Sequence, residues 1–307
     1  MKDAHNIAPR LSPLLVLGHR GAIIDSAAFH QNSLRAFGEA VTAGDGFESD
    51  ACVDKDGEIF LIHEAKYANA TTGVEYCMAE HLDSASAAFV GTRRIDQLTT
   101  AGMRRLRLRD GSPIPTLREA VERIGAHKGK LIDIELKAYG VVEPVLRLVQ
   151  DCVRAGIIAP DALMLSSFNH PALATVRAKA PHLRIGAIFM DGSLPTTPLF
   201  PWQPGSAGAY TALTVAALDD AVLRQIDPDY FIVPQEILTE ATVQMIAAHY
   251  PRAQLMAWVF TEKDNLDMAD LLARLKKLHP TGKIAAMMVD NPRVFKATLR
   301  EAGWLSD

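Results

Sequence analysis

Cysteine is scarce in this 307-residue chain: Cys52, Cys77 and Cys152 are widely separated and form no C-x-x-C pair. Such usage fits neither a disulfide framework nor a structural zinc site, and a reducing cytoplasm is the expected setting. Long apolar runs are missing as well. Leu14–Leu17, bounded by Pro13 and Gly18, is too short for the apolar region of a signal peptide, and nothing approaches the roughly 18 residues of a membrane span. The chain is therefore expected to be soluble and cytoplasmic, with no stable membrane insertion. Positive charge is not in excess either, since 32 Lys and Arg face 36 Asp and Glu for a net charge of −4. That balance offers no basic footprint for nucleic acid.

What is present is material for a large core: 49% hydrophobic and 22% charged residues, which suits an α/β architecture. Eight short apolar runs recur along the chain, at Leu14–Leu17, Phe47–Val53, Leu131–Leu136, Ala162–Ser166, Ile185–Phe189, Tyr230–Val233, Leu255–Phe260 and Ala286–Val289. Between them lie helical stripes such as Leu117/Ala120/Val121/Ile124, Val145/Leu148/Val149/Cys152 and Met268/Leu271/Leu272/Leu275. Thr116 with Glu119 has the spacing of a capping box, and Asn169 can cap the helix after it. Strand–helix alternation repeated eight times predicts a single (β/α)8 TIM barrel over residues 1–307, with a doubly wound open sheet as the alternative. The rhythm breaks once. After the second run and a strand-like Ile59–His63, residues 64–112 read as an insertion, in which Arg104–Arg109 has the look of a solvated helix face.

In such a barrel, chemistry sits where strands give way to the following loops. Polar residues collect at those positions: His19 and Arg20 after the first run, Glu48 and Asp50 in the second, His63 after the short strand, and Glu135 with Lys137 at the third. Residues two apart on a strand share a face, so Glu48 and Asp50 point the same way, as do Glu135 and Lys137. Carboxylates gathered there repel and are costly to desolvate unless a cation offsets them. An oxygen-only set favours Mg²⁺ or Ca²⁺ over zinc. Arg20 and Lys137 beside that ion suit a phosphate, and His19 and His63 suit general acid and base. Trp258 reads either as core or as a wall of the substrate pocket. Each histidine also has a plain structural reading at a barrel end. His30, Gln31 and Asp290 stand near enough to support the site, and the remaining histidines, His81 and His170 among them, read as surface residues.

The ordered set Gly18-His19-Arg20-Gly21, Gln31-Asn32-Ser33-Leu34-Arg35-Ala36-Phe37, Phe47-Glu48-Ser49-Asp50, Lys55-Asp56-Gly57, Ile62-His63-Glu64, Ile134-Glu135-Leu136-Lys137, Ser166-Ser167-Phe168 and Val289-Asp290-Asn291-Pro292 resembles the glycerophosphodiester phosphodiesterase family. The resemblance implies a (β/α)8 barrel and a divalent metal on Glu48, Asp50 and Glu135. It further implies His19 and His63 as the acid/base pair, with Arg20 and Lys137 on the phosphate of a small-molecule diester. His19 is read as the acid and His63 as the base. The chain departs from the family's pattern at Gln31, where an acid is usual, at His30, where proline is usual, and at Glu64, where aspartate is usual. Those departures bear on the substrate, and a sugar phosphodiester or a lysophospholipid stands beside a glycerophosphodiester. A non-catalytic phosphate-binding barrel is the reading from a different class.

Overall fold

In a computed structural model of the chain, residues 14–23, 30–63, 65–69, 73–124, 127–137, 140–191, 198–199, 208–209, 211–258 and 268–304 are described. Thirteen strands run through them: β1 (Leu15–Gly18), β2 (Gly46–Val53), β3 (Ile59–Leu61), β4 (Ala65–Asn69), β5 (Gly73–Cys77), β6 (Leu131–Leu136), β7 (Leu163–Ser167), β8 (Arg184–Ile188), β9 (Pro198–Leu199), β10 (Gly208–Ala209), β11 (Tyr230–Pro234), β12 (Gln254–Trp258) and β13 (Ile284–Val289). Eight of these pair in parallel in the order β1-β13-β12-β11-β8-β7-β6-β2, and β2 pairs back onto β1. The sheet is thus a closed TIM barrel, as the eight apolar runs predict, and not an open sheet. The far end of the expected seventh run, toward Phe260, lies outside the described residues.

Burial on both faces explains the continuous apolar strands. Outward residues such as Val16, Phe47, Ile132 and Leu165 meet the helices, while Leu17, Met164, Ile232, Met256 and Met288 fill the lumen. The helices Leu117–Ile124 and Val142–Arg154 bury the stripes predicted for them. Phe37, from the helix Leu34–Ala43, stacks on Phe47 with ring centroids 4.2 Å apart. Truncating a buried phenylalanine of this kind to alanine generally costs about 3–5 kcal/mol. The caps follow the sequence too. Glu119 accepts the Thr116 backbone N–H at 2.8 Å, and Asn169 accepts from the Ala172 N–H.

β3 turns back antiparallel on β2, with Val53 opposite Ile59. Cys52, Phe60 and Ile62 then face a second apolar cluster made with Met78, Leu82, Val90, Ile95, Met103, Leu106 and Leu108. This cluster corrects the reading of Arg104–Arg109. The local helix ends at Met103, and Leu106 and Leu108 alternate inward, with Leu108 bridged to Leu82. A period of two, not 3.6, governs residues 106–108, so Arg107 projects from a short extended piece while Arg104, Arg105 and Arg109 lie in the turns on either side of it. His81 and His170 are likewise corrected from surface to interior, being 6% and 8% exposed.

Candidate active site

The turn after β1 carries the first site residues. Gly21 N–H closes onto Gly18 O, which puts Arg20 in the left-handed region at φ 51°. Gly18 is required by close approach: a Cβ there would stand 2.3 Å from Gly21 O. The turn aims the Arg20 N–H at Glu48 Oε2, 3.0 Å away, and sets the Arg20 Nε 3.3 Å from Asp50 Oδ2. His19, beside it, engages Asp290 at the end of β13 through Nδ1 at 2.9 Å. Asp290 can only accept as a carboxylate, so the neutral ring of His19 keeps its lone pair on Nε2.

Strand register assembles the acids. Glu48 pairs with Asp133 and Asp50 with Glu135 across β2 and β6. Ligand atoms of Glu48, Asp50 and Glu135 lie within 4.8 Å of one another, and all three residues are buried. Lys137 Nζ stands 2.9 Å from Glu135 and 3.4 Å from Asp50. Asp50 also accepts from Asn32 Nδ2, whose own Oδ1 accepts from Ser49.

The electrostatics divide the acids. Burial, with repulsion from Asp50 and Glu135, pushes Glu48 well above the usual carboxylate range. Burial also raises Glu135, against the pull of Lys137. For Asp50 burial acts upward too, but Arg20, with His63, Lys137 and the Asn32 bond, outweighs it and holds the carboxyl well below the ordinary range. Burial, with Arg20 beside each ring, lowers His19 and lowers His63 further. An oxygen-only, mutually repelling trio of this kind fits a hard divalent cation.

His19, Arg20, Glu48, His63, Glu135 and Lys137 line one side of a 210 Å³ cavity at the barrel mouth. Phe168, Ile188, Met190, Ile232, Trp258 and Met288 line the other. Trp258 meets Phe168 edge to face, with centroids 6.1 Å apart. The eight residues singled out from sequence therefore meet at one site: seven line this cavity, and Asp50 lies beneath it among its neighbours. Sequence reasoning missed three contributors. Asp133 lies two residues before Glu135 and on its face; burial raises its carboxyl well above the usual range. Asn32 reaches Asp50 from a left-handed turn at φ 56°, a contact with no period to signal it. His81 comes from the segment after β5, and its ring lies 6.0 Å from that of His63.

Comparison with known proteins gives a consistent result. The model of the Glycerophosphoryl diester phosphodiesterase family matches residues 19–293. A glycerophosphodiester phosphodiesterase from Caldanaerobacter subterraneus subsp. tengcongensis is 31% identical over 184 residues, covering 58% of this chain and 68% of that protein. Two solved structures share the fold at 20% identity. One is the glycerophosphodiester phosphodiesterase of Thermotoga maritima, with a TM-score of 0.61 over 94% of this chain and 99% of that one. The other is an Oleispira antarctica phosphodiesterase in complex with its product sn-glycerol-3-phosphate, with a TM-score of 0.60 over 93% and 96%.

Proposed function

The chain belongs to the glycerophosphoryl diester phosphodiesterase family, and from that premise we propose that it hydrolyses a glycerophosphodiester to glycerol phosphate and an alcohol by acid–base catalysis between His19 and His63. The observation that carries this reading is the convergence of two imidazoles, two cations and three carboxylates on one cavity. Glu48, Asp50 and Glu135 would hold a divalent ion, Mg²⁺ or Ca²⁺. When bound, that ion supplies charge stabilisation to the phosphoryl oxygens.

Arg20 and Lys137 bind and orient the phosphate, with the guanidinium fork matched to two of its oxygens. Their charges also favour the extra negative charge that develops on the phosphoryl group as the attacking oxygen approaches. His63, kept neutral by burial and by Arg20, fits the role of base. His19 fits the role of acid, because Asp290 stabilises the imidazolium that must give up its proton to the leaving alkoxide. The test is a panel of diesters with and without chelator, products identified by ³¹P NMR; metal-dependent release of glycerol phosphate is the expected result, and no turnover of any diester overturns the reading.

One observation favours a second substrate. The apolar wall of Phe168, Ile188, Met190, Ile232, Trp258 and Met288 suits an acyl or other apolar arm, so lysophosphatidylcholine belongs in the same panel, as does a sugar phosphodiester. Exclusive turnover of water-soluble glycerophosphodiesters dismisses both.

A further inference from the structure

His81 ends the short turn Ala79–His81 and lies outside the barrel strands. It lines a second cavity, of 280 Å³, which shares Arg20 and His63 with the first and is completed by His30, Gln31, Glu80 and Arg109. A guanidinium can only donate, and this fixes every hydrogen-bond polarity downstream of it. Arg20 Nη1 donates to Gln31 Oε1 at 3.1 Å, so the Gln31 amide nitrogen is the atom that faces His81 Nδ1, also at 3.1 Å. That nitrogen donates, Nδ1 accepts, and the proton of the neutral His81 ring resides on Nε2.

Among the described residues Nε2 has no hydrogen-bond partner, although the ring is 6% exposed. Glu80 Oε1 stands 3.3 Å from it, off the alignment of a hydrogen bond, and the Glu80 side chain is 48% exposed. Burial, with His30 and Arg20 nearby, lowers His81 to about 3, in keeping with a neutral ring. A buried donor held in one tautomer, whose nearest acceptor is a half-exposed carboxylate that completes no hydrogen bond to it, lies beside a cavity that opens on the phosphate-binding arginine and is poised for a better-placed acceptor from a ligand.

We propose that this second cavity is the subsite for the alcohol arm of the diester and takes an alcohol rich in acceptor oxygens, hydroxyl or carboxylate, with His81 Nε2–H as its donor and Gln31 as the positioning residue that keeps His81 in the donor tautomer. The proposal rests on the phosphodiesterase reading above. An arm attached to a phosphate held by Arg20 reaches this cavity without crossing the apolar wall. A trimethylammonium arm offers Nε2–H nothing to bond and meets two cations, Arg20 and Arg109, against the single carboxylate of Glu80.

The experiment uses the full chain loaded with Mg²⁺ or Ca²⁺ and compares glycerophosphoglycerol with glycerophosphocholine. The ratio of their kcat/KM values is expected to fall about five- to tenfold in His81→Phe, mostly through KM, as loss of one hydrogen bond implies. Long-range ¹H–¹⁵N spectra of the parent are expected to show the Nε2–H tautomer of His81. In Gln31→Glu, whose carboxylate can only accept, the Nδ1 proton is expected to appear and the substrate ratio to fall. Adding glycerophosphoglycerol to chelator-treated protein is expected to move the His81 Nε2 resonance. An unchanged ratio in His81→Phe, an Nδ1–H tautomer in the parent, or a His81 resonance that does not respond overturns the proposal, as does a choline preference lost in Glu80→Gln. Should His81→Phe fail to fold, the tautomer and titration in the parent still decide. Turnover of both diesters with an unchanged ratio sinks the subsite alone; a responding His81 in a protein that hydrolyses neither sinks the catalytic reading instead.

Discussion

His19 and Asp290 are separated by 271 residues in the chain and by 2.9 Å in space, and the hydrogen bond between them crosses the pairing of β1 with β13. Asp290 holds the imidazole in one tautomer and one orientation, with Nε2 turned toward Glu48 4.0 Å away. Removing the carboxylate charge while keeping its shape therefore separates orientation from charge. In Asp290→Asn, kcat is expected to fall about 10²–10⁴-fold with little change in KM, as when the carboxylate that orients an acid–base histidine loses its charge. Steady-state kinetics on a glycerophosphodiester checks this, and an unchanged kcat removes Asp290 from the site.

Loss of the imidazoles themselves goes further. His19→Ala and His63→Ala are each expected to lower kcat by about 10²–10⁴-fold, while circular dichroism and the thermal midpoint stay near those of the parent. Near-normal turnover in both variants would refute the acid–base assignment.

The carboxylate trio predicts opposite effects on activity and stability. Chelator is expected to abolish turnover and added Mg²⁺ or Ca²⁺ to restore it. In chelated protein Glu48→Gln is expected to raise the thermal midpoint, because burial and repulsion from Asp50 and Glu135 outweigh what Arg20 returns to the Glu48 carboxylate, and a glutamine Oε1 can still accept the Arg20 N–H. The same variant should lose metal-dependent activity. A midpoint that drops in chelator would mean that the acids do not strain one another.

His170 gives a pH dependence remote from the chemistry. Its Nε2–H donates to Ile188 O at 3.1 Å, and burial lowers its pKa below the ordinary 6.5. As pH falls below about 6.5, the unfolded chain takes up a proton that the folded ring refuses, so stability is lost toward acid and is fully present above that value. Urea unfolding at pH 7.5 and 5.5 should show a smaller loss on acidification in His170→Asn than in the parent. Equal losses would assign the acid sensitivity elsewhere.

The barrel was legible because its strands are buried on both faces and read as apolar blocks, and because capping residues such as Thr116 and Asn169 mark the helix starts between them. The trio was legible for a related reason: acids two apart within an apolar strand must share a face. Asp133 carried the same signal, two residues before Glu135, and was absorbed into an apolar run. Contacts made through backbone shape were not legible. Asn32 reaches Asp50 because of a left-handed turn, and His81 approaches His63 because residues 78–114 pack over the Phe60 side of β3. Neither distance has a sequence period. The turn–bridge–turn path of Arg104–Arg109 was hidden because six residues with four arginines look alike in a helix and outside one until the burial of Leu106 and Leu108 is known.

Ring closure by the last strand carries a consequence for synthesis. While a ribosome is still extending the chain, the first strand has one sheet neighbour, β2, and lacks the other until residues near 284–290 have emerged. His19 then has no Asp290 to hold it. A nascent chain of this protein should stay hydrolytically silent until β13 and Asp290 have emerged and docked beside β1, and activity should arrive in a single step at that point.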